Sequence, residues 1–192
     1  MASIAAETER LRLRDWGEGD RDAFYDIMNS PAVMEHLGGV QTREGWDAAY
    51  QRIVGFTRDY GHTFWIVEDR GSGEILGFCG LKRVNAPGAG DLMGQMEIGW
   101  RLRQSAWGRG IAKEAAIASL DLAFGQFAAP HVIAMTNEAN LASQGLMARL
   151  GMTRRADLDF IDTRFGPNLN PQLIWLIDAA NWPAVQIGRA HV

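Results

Sequence analysis

The spacing of apolar residues changes period several times along the chain, and each change marks an element. Between Thr8 and Asp15, Leu11 and Leu13 alternate with Arg10, Arg12 and Arg14, which predicts a strand with one buried face. Phe24, Ile27 and Met28 share one helical face, so Asp20–Asn29 reads as a short helix with Asp20 as its N-cap. Thr42–Tyr60 reads as a second helix, although Thr42-Arg43-Glu44-Gly45 lacks the carboxylate of a full capping box. Thr63–Glu68, β-branched and aromatic, and Glu74–Leu81 read as strands, and Asp69-Arg70-Gly71-Ser72-Gly73 joins them as a hairpin. Gly94–Leu102 is a further strand. Gly108–Phe124 is a helix with Ile111, Ala115, Ala118 and Leu122 at helical spacing. His131–Thr136 is a strand, and Glu138–Leu150 is a helix that Gly151 stops. Met152–Ile161 and Pro171–Asp178 are the last two strands.

The order β-α-α-β-β-β-α-β-α-β-β begins as a meander and ends in crossovers. It predicts an α/β fold with a mixed sheet, partly antiparallel and partly parallel, and helices on its faces. Two stretches rich in Gly, Pro and Asn, Asn85–Gly90 and Arg164–Pro171, read as loops, and neither separates two domain-sized pieces. A length of 192 residues then predicts a single domain over residues 1–192, with its core at about 8–180.

Composition narrows the class. With 47% hydrophobic and 22% charged residues the chain carries enough apolar material for one core and is not a disordered sequence. Lys and Arg number 19 against 23 Asp and Glu, a net charge of −4 without the broad basic footprint of nucleic-acid binding. No apolar run reaches the ~18 residues of a membrane span, so no membrane partner is expected. Met1–Glu7 has neither the basic start nor the apolar stretch of a signal peptide. Cys79 is the only cysteine, and His36, His62, His131 and His191 show no ligand spacing. An intrachain disulfide and a multi-thiolate metal site are therefore excluded, and no metal is expected. The expected location is cytoplasmic.

The stretch from Met96 to Ala115 carries the chemistry. A strand leads through a short loop into Gly108-Arg109-Gly110 at the head of a helix. The first helical turn has N–H groups without helical partners and the positive end of the macrodipole, and glycines let the backbone come close to a bulky anion. A phosphate or pyrophosphate suits such a place. The P-loop pattern is absent, and the third glycine of the dinucleotide fingerprint falls on Lys113. Taken alone, Gly-x-Gly is also what a glycine-rich helix start gives.

This segment resembles motif A of the GNAT superfamily of N-acetyltransferases, Arg/Gln-x-x-Gly-x-Gly/Ala. It is most similar to the ribosomal-protein N-terminal (Rim-type) branch. The matching residues are Glu97-Ile98-Gly99-Trp100-Arg101-Leu102, Trp107-Gly108-Arg109-Gly110 and Glu114-Ala115. Downstream, Asn140-Leu141-Ala142-Ser143 followed by Leu150-Gly151-Met152 is similar to the family's Asn-x-x-Ser and Leu-Gly-Phe/Met motif. The resemblance covers nearly the whole chain and implies a GNAT-like acyl-CoA N-acyltransferase fold.

It further implies an acetyl-CoA-dependent N-acetyltransferase acting by direct attack of a primary amine, either a protein N-terminus or a small molecule. Acetyl-CoA is the implied cosubstrate. Its pyrophosphate would sit on backbone amides of Trp107, Gly108, Arg109, Gly110, Ile111 and Ala112, with Lys113 nearby. Its pantetheine arm would add like a strand beside Trp100, Arg101 and Leu102. Asn140 and Ser143 would bond the cosubstrate; Asn140 also reads as a helix-terminal residue serving local backbone. Glu97 is the candidate general base, acting through a water; its alternative is an ion pair with Arg101 or Arg103. The acceptor site would be bounded by Met34, Glu35, His36 and Leu37, by Trp46 and Tyr50, and by the loop near Phe165. Such an enzyme is expected as a monomer or homodimer.

The chain departs from the family pattern in two places. Ser105 stands at the Arg/Gln position of motif A, with Gln104 before it. Met147 stands where many members carry a proton-donating Tyr. Two alternatives follow: a catalytically silent CoA-binding regulatory module, and a GNAT-fold enzyme using a longer acyl-CoA. Cys79, in an apolar strand with no histidine nearby in sequence, reads as a buried inert thiol.

Overall fold

A computed structural model describes residues 2–183, so Met1 and His191 lie outside the described residues. The chain forms β1 (Ile4–Glu7), β2 (Leu11–Arg14), α1 (Asp20–Met28), α2 (Pro31–Met34), α3 (Arg43–Tyr60), β3 (Phe64–Asp69), β4 (Ile75–Arg83), β5 (Met96–Leu102), α4 (Ile111–Gly125), β6 (His131–Thr136), α5 (Leu141–Arg149), β7 (Thr153–Arg154) and β8 (Leu173–Asp178). The strands form an eight-stranded sheet in the order β1-β2-β3-β4-β5-β6-β8-β7. β1 to β4 pair antiparallel in sequence order. β5 pairs parallel with β6, with Glu97 opposite Ile133, and β8 runs antiparallel to both β6 and β7. The mixed sheet is the one the element order predicts.

Several boundaries differ, each for a local reason. The single strand expected over Thr8–Asp15 is two strands, because Thr8 closes a turn: its N–H reaches the Leu11 carbonyl at 2.9 Å and its hydroxyl accepts from Leu11 N at 2.9 Å. Asp20 is not the cap of α1. Gly19 holds that place at φ 87°, and the Asp20 carboxylate accepts from Gly17 N and pairs with Arg14, both at 2.6 Å. Thr42 does cap α3, its hydroxyl accepting from Gly45 N at 3.1 Å. The strand expected over Met152–Ile161 shrinks to β7. A 3₁₀ turn follows at Ala156–Leu158, with a lone bridge from Phe160 to Gln172.

Two compact units share these elements. Among the described residues, one contains residues 2–82 together with Gly99–Ser119; the other contains Arg83–Ile98 and residues 120–183. The first is built around Phe24, Met28, Val33, Trp46, Ile66 and Phe78. Its rings form a stack: Phe64 to Phe78 at 4.8 Å, Phe78 to Phe24 at 5.4 Å, and Phe24 to Trp46 at 5.1 Å between centroids. Such pairs add about 0.5–1.5 kcal/mol each beyond burial. The second unit packs Val84, Ala86, Ala89, Leu92, Ile133 and Ile174.

Candidate functional site

In the first unit the end of β5 turns sharply. Arg103 N donates to the Leu76 carbonyl at 2.9 Å, and a 3₁₀ turn over Gln104–Ala106 follows. Trp107 Nε1 donates back to the Leu102 carbonyl at 2.9 Å, while its ring stays 47% exposed. Gly108 and Gly110 then take φ of 71° and 77°, a left-handed conformation that costs a side-chain-bearing residue about 1–2 kcal/mol. No heavy atom lies within 4 Å of where a Cβ on Gly108 would stand. The glycine therefore serves the backbone shape, and the space before it is open.

These left-handed residues also explain why α4 begins at Ile111 rather than at Gly108 as expected. Its first turn is marked by Glu114 N on the Gly110 carbonyl at 3.1 Å. The amides of Ile111, Ala112 and Lys113 thus lie in the partnerless first turn, at the positive end of the dipole. Arg109 is exposed beside them. An open, glycine-shaped backbone at a helix head with the exposed Arg109 beside it fits a pyrophosphate.

A clamp that sequence reasoning missed holds this loop. Glu114 in α4 accepts from the Thr8 hydroxyl, from Arg10 N at 3.1 Å and from Arg10 Nε at 2.7 Å, and Arg10 Nη2 lies 2.6 Å from it. Arg10 Nη1 then donates to the Arg109 carbonyl at 3.0 Å, between the two glycines. Burial pushes the Glu114 carboxyl pKa up, but the hydrogen bonds from Thr8 and Arg10 and the charge of Arg10 outweigh it and hold the group below its ordinary value. Glu114 appeared in the sequence only as part of a Glu-Ala pair; nothing local links it to Thr8 or Arg10.

β5 also presents a second cation. Arg101 is partly buried, with its guanidinium 5.1 Å above the Phe78 ring and its Nε buried without a hydrogen-bond partner. Burial lowers its pKa to about 10. The expected ion pair of Glu97 with Arg101 or Arg103 is not formed. Arg103 Nη1 meets Glu74 instead, and no carboxylate among the described residues pairs with Arg101.

Glu97 belongs to the second unit and is 6% exposed. There it acts on Arg164, whose pKa is raised first by its bond to Asp162, at 2.6 Å, and further by the charges of Asp162 and Glu97. The loop that carries Arg164 and Phe165 is tied by Asn170, which accepts from Asp162 N at 2.9 Å and donates to the carbonyls of Asp162 and Phe165 at 3.0 Å. The sequence pointed to this loop through Phe165 and missed Arg164 and Asp162. Asn140 is the N-cap of α5, its Oδ1 accepting from Ser143 N at 3.1 Å, so the local role is realised. That cap is why α5 begins at Leu141 rather than Glu138.

Several other residues singled out in the sequence are buried. Met147 is 2% exposed, and Trp46 and Met34 lie in the core rather than lining an open wall. Trp46 Nε1 donates to the Arg21 carbonyl at 2.8 Å. Glu35 and Leu37 are exposed, and Tyr50 is partly buried, which raises its phenol pKa. Cys79 is buried with Sγ 3.6 Å from Ser119 Oγ, and burial pushes the thiol up to about 12. His62 is buried with Nδ1 3.0 Å from the Leu81 carbonyl, and His131 Nε2 lies 2.8 Å from Gln95 Oε1. No cluster of His, Cys, Asp and Glu among the described residues is arranged to hold a metal ion, and no helix among them is long and apolar enough to cross a membrane.

The family described as "Acetyltransferase (GNAT) domain" matches residues 10–153. An uncharacterized protein of Bacillus subtilis (strain 168), YkkB, is 35% identical over 150 residues, covering 76% of this chain and 83% of its own. The crystal structure of an acetyltransferase from Agrobacterium tumefaciens str. C58 superposes with a TM-score of 0.74 at 26% identity, covering 90% of this chain and 92% of that one. A ribosomal-protein-S5-alanine acetyltransferase from Vibrio fischeri shares the fold at a TM-score of 0.71 and 16% identity, over 95% of this chain and 98% of that one.

Proposed function

The chain belongs to the GNAT acetyltransferase family, and from that premise we infer that it is an acetyl-CoA-dependent N-acetyltransferase whose acceptor is a primary amine, on a small molecule or a protein N-terminus. The family match runs through both compact units, which supports reading them as one catalytic domain. The observation that carries the reading is the open Gly108-Arg109-Gly110 loop, clamped at the head of α4.

When bound, acetyl-CoA supplies an activated acetyl group on a sulfur that leaves as a thiolate, with a thiol pKa near ~8.5. In this reading the amides of Trp107 to Ala112, with Lys113, hold the pyrophosphate. The backbone of Trp100, Arg101 and Leu102 binds the pantetheine arm as an added strand, and Asn140 Nδ2 and Ser143 give it polar contacts. Glu97 takes the proton of the acceptor ammonium through a water, which leaves the nitrogen lone pair free to attack. A backbone N–H of β5 faces the negative charge that develops on the acetyl oxygen. The buried Met147 donates no proton, so the sulfur leaves as the thiolate without a dedicated acid, and the second proton that the nitrogen sheds on becoming an amide passes to water.

The test is Glu97→Gln, which keeps size and hydrogen bonding and removes the base. The expected result is a loss of ~10²–10⁴-fold in kcat with little change in the KM for acetyl-CoA. The loss should shrink as pH rises and the neutral amine becomes abundant. Nearly full activity of the variant at neutral pH would make Glu97 structural. Binding of acetyl-CoA with no turnover of any amine would favour the silent CoA-binding module.

A further inference from the structure

Arg101 differs from the cations around it. Arg12, Arg14 and Arg103 each meet a carboxylate, Arg12 and Arg14 on Glu68 and Arg103 on Glu74. Arg101 meets none among the described residues, and its Nε is buried without a partner. A partly buried guanidinium that meets no carboxylate carries a desolvation cost that a hydrophobic residue of similar size would not. Stability is therefore no reason for an arginine here.

Its surroundings are specific. The guanidinium lies over Phe78, which stacks on Phe64. Lys82 Nζ lies 6.0 Å from the centre of the Phe64 ring. By the alternation of a strand, Phe78, Gly80 and Lys82 share one face of β4, and Gly99 and Arg101 share one face of β5. Gly99 keeps that face open to the ring: a Cβ there would stand 2.8 Å from Phe64. A planar fork of donors on an aromatic ridge, with a second cation beside it, is suited to bidentate recognition of a carboxylate.

We propose that Arg101 binds a carboxylate carried by the acceptor, so that the substrate class is an amino-carboxylate, an amino acid or a short peptide. The proposal rests on the N-acetyltransferase reading, which gives the acceptor its reacting amine, and Arg101 holds the acid group of that same acceptor. Burial strengthens such a pair, because the guanidinium has little water to lose when the carboxylate arrives.

The experiment compares each common L-amino acid with its own carboxamide as acceptor, following CoA release from acetyl-CoA. The carboxamide has the less basic amine and is more often neutral, so preference for the acid runs against intrinsic reactivity. The expected result is a kcat/KM about 10²-fold higher for the acid with the wild-type protein, the loss expected when a buried charge pair is deprived of one partner. In Arg101→Gln the acid-to-amide ratio should collapse toward unity, and in Arg101→Lys it should be partly kept. The ratio is taken within each variant, so any effect on acetyl-CoA binding divides out. Retention of the ratio in Arg101→Gln overturns the proposal, as does wild-type turnover of carboxamides at the rate of the acids. In either case the N-acetyltransferase reading stands. If acetyl-CoA binds and no amine of any kind is acetylated, both readings fall.

Discussion

Removing the Arg10 side chain is expected to loosen the glycine loop and to weaken CoA binding. Arg10→Ala deletes the bidentate approach to Glu114 and the bond to the Arg109 carbonyl, and keeps the backbone bond from Arg10 N. The ion pair has side chains 46% and 19% exposed, so it contributes no more than ~1 kcal/mol. The bond to Arg109 contributes about 1 kcal/mol. Together they predict a loss of about 1–2 kcal/mol, which for a chain of this size lowers Tm by about 2–8 °C. Only the second part bears on the loop. If that ~1 kcal/mol is the cost of ordering Arg109 between its two glycines, CoA affinity should fall about fivefold. Calorimetric titration of CoA into wild type, Arg10→Ala, Arg10→Lys and Glu114→Ala measures this directly. Arg10→Lys should fall between the others, because an ammonium lacks the fork that reaches Glu114 and Arg109 together. A lower Tm with unchanged CoA affinity in Arg10→Ala would refute the reasoning and leave the clamp a purely structural bond.

Gly110→Ala and Gly108→Ala should each destabilise the protein by about 1–2 kcal/mol through their positive φ, and urea titration with unchanged midpoints would contradict this. Gly110→Asp should in addition abolish the rise in Tm produced by CoA, by placing bulk and negative charge where the pyrophosphate sits. Cys79, with its thiol pushed up to about 12 by burial, should be silent to Ellman's reagent at mildly alkaline pH in the native state and react fully in guanidinium; fast native labelling would oppose that burial. Glu114 has its folded pKa below the unfolded one. Its contribution is therefore present above the ordinary glutamate range and is lost as pH falls through the folded value. Tm of the wild type should accordingly drop more steeply below pH ~4 than that of Glu114→Gln, and parallel curves would remove Glu114 from the acid transition.

The elements that read correctly from sequence are those whose signal is local. The hairpin from Phe64 to Arg83 follows from β-branched and aromatic content around a turn that Asp69 closes, its carboxylate accepting from Gly71 N and Ser72 N at 2.9 and 3.0 Å. Thr42 at the head of α3, the helix stop at Gly151 with φ 82°, and the loop Gly108-Arg109-Gly110 are equally local, because a cap or a left-handed residue is specified within a few positions. Tertiary structure decided what depends on a distant neighbour. Glu114 and Arg10 lie 104 positions apart and meet because the turn before β2 and the first turns of α4 belong to one unit. Glu97 acts on Arg164 rather than on the arginines of its own strand, because the loop tied by Asn170 brings Arg164 and Asp162 together. The resemblance sets Trp46 at the acceptor wall, and the structure makes it core because Phe24 stacks on it at 5.1 Å. Arg101 looks in sequence like one strand arginine among several, and only the packed sheet leaves it over a ring with no carboxylate. Periodicity and turn chemistry state which face of an element is apolar and where it ends; they carry no record of which other face arrives opposite, and that arrival assigns a charged side chain its partner or leaves it without one.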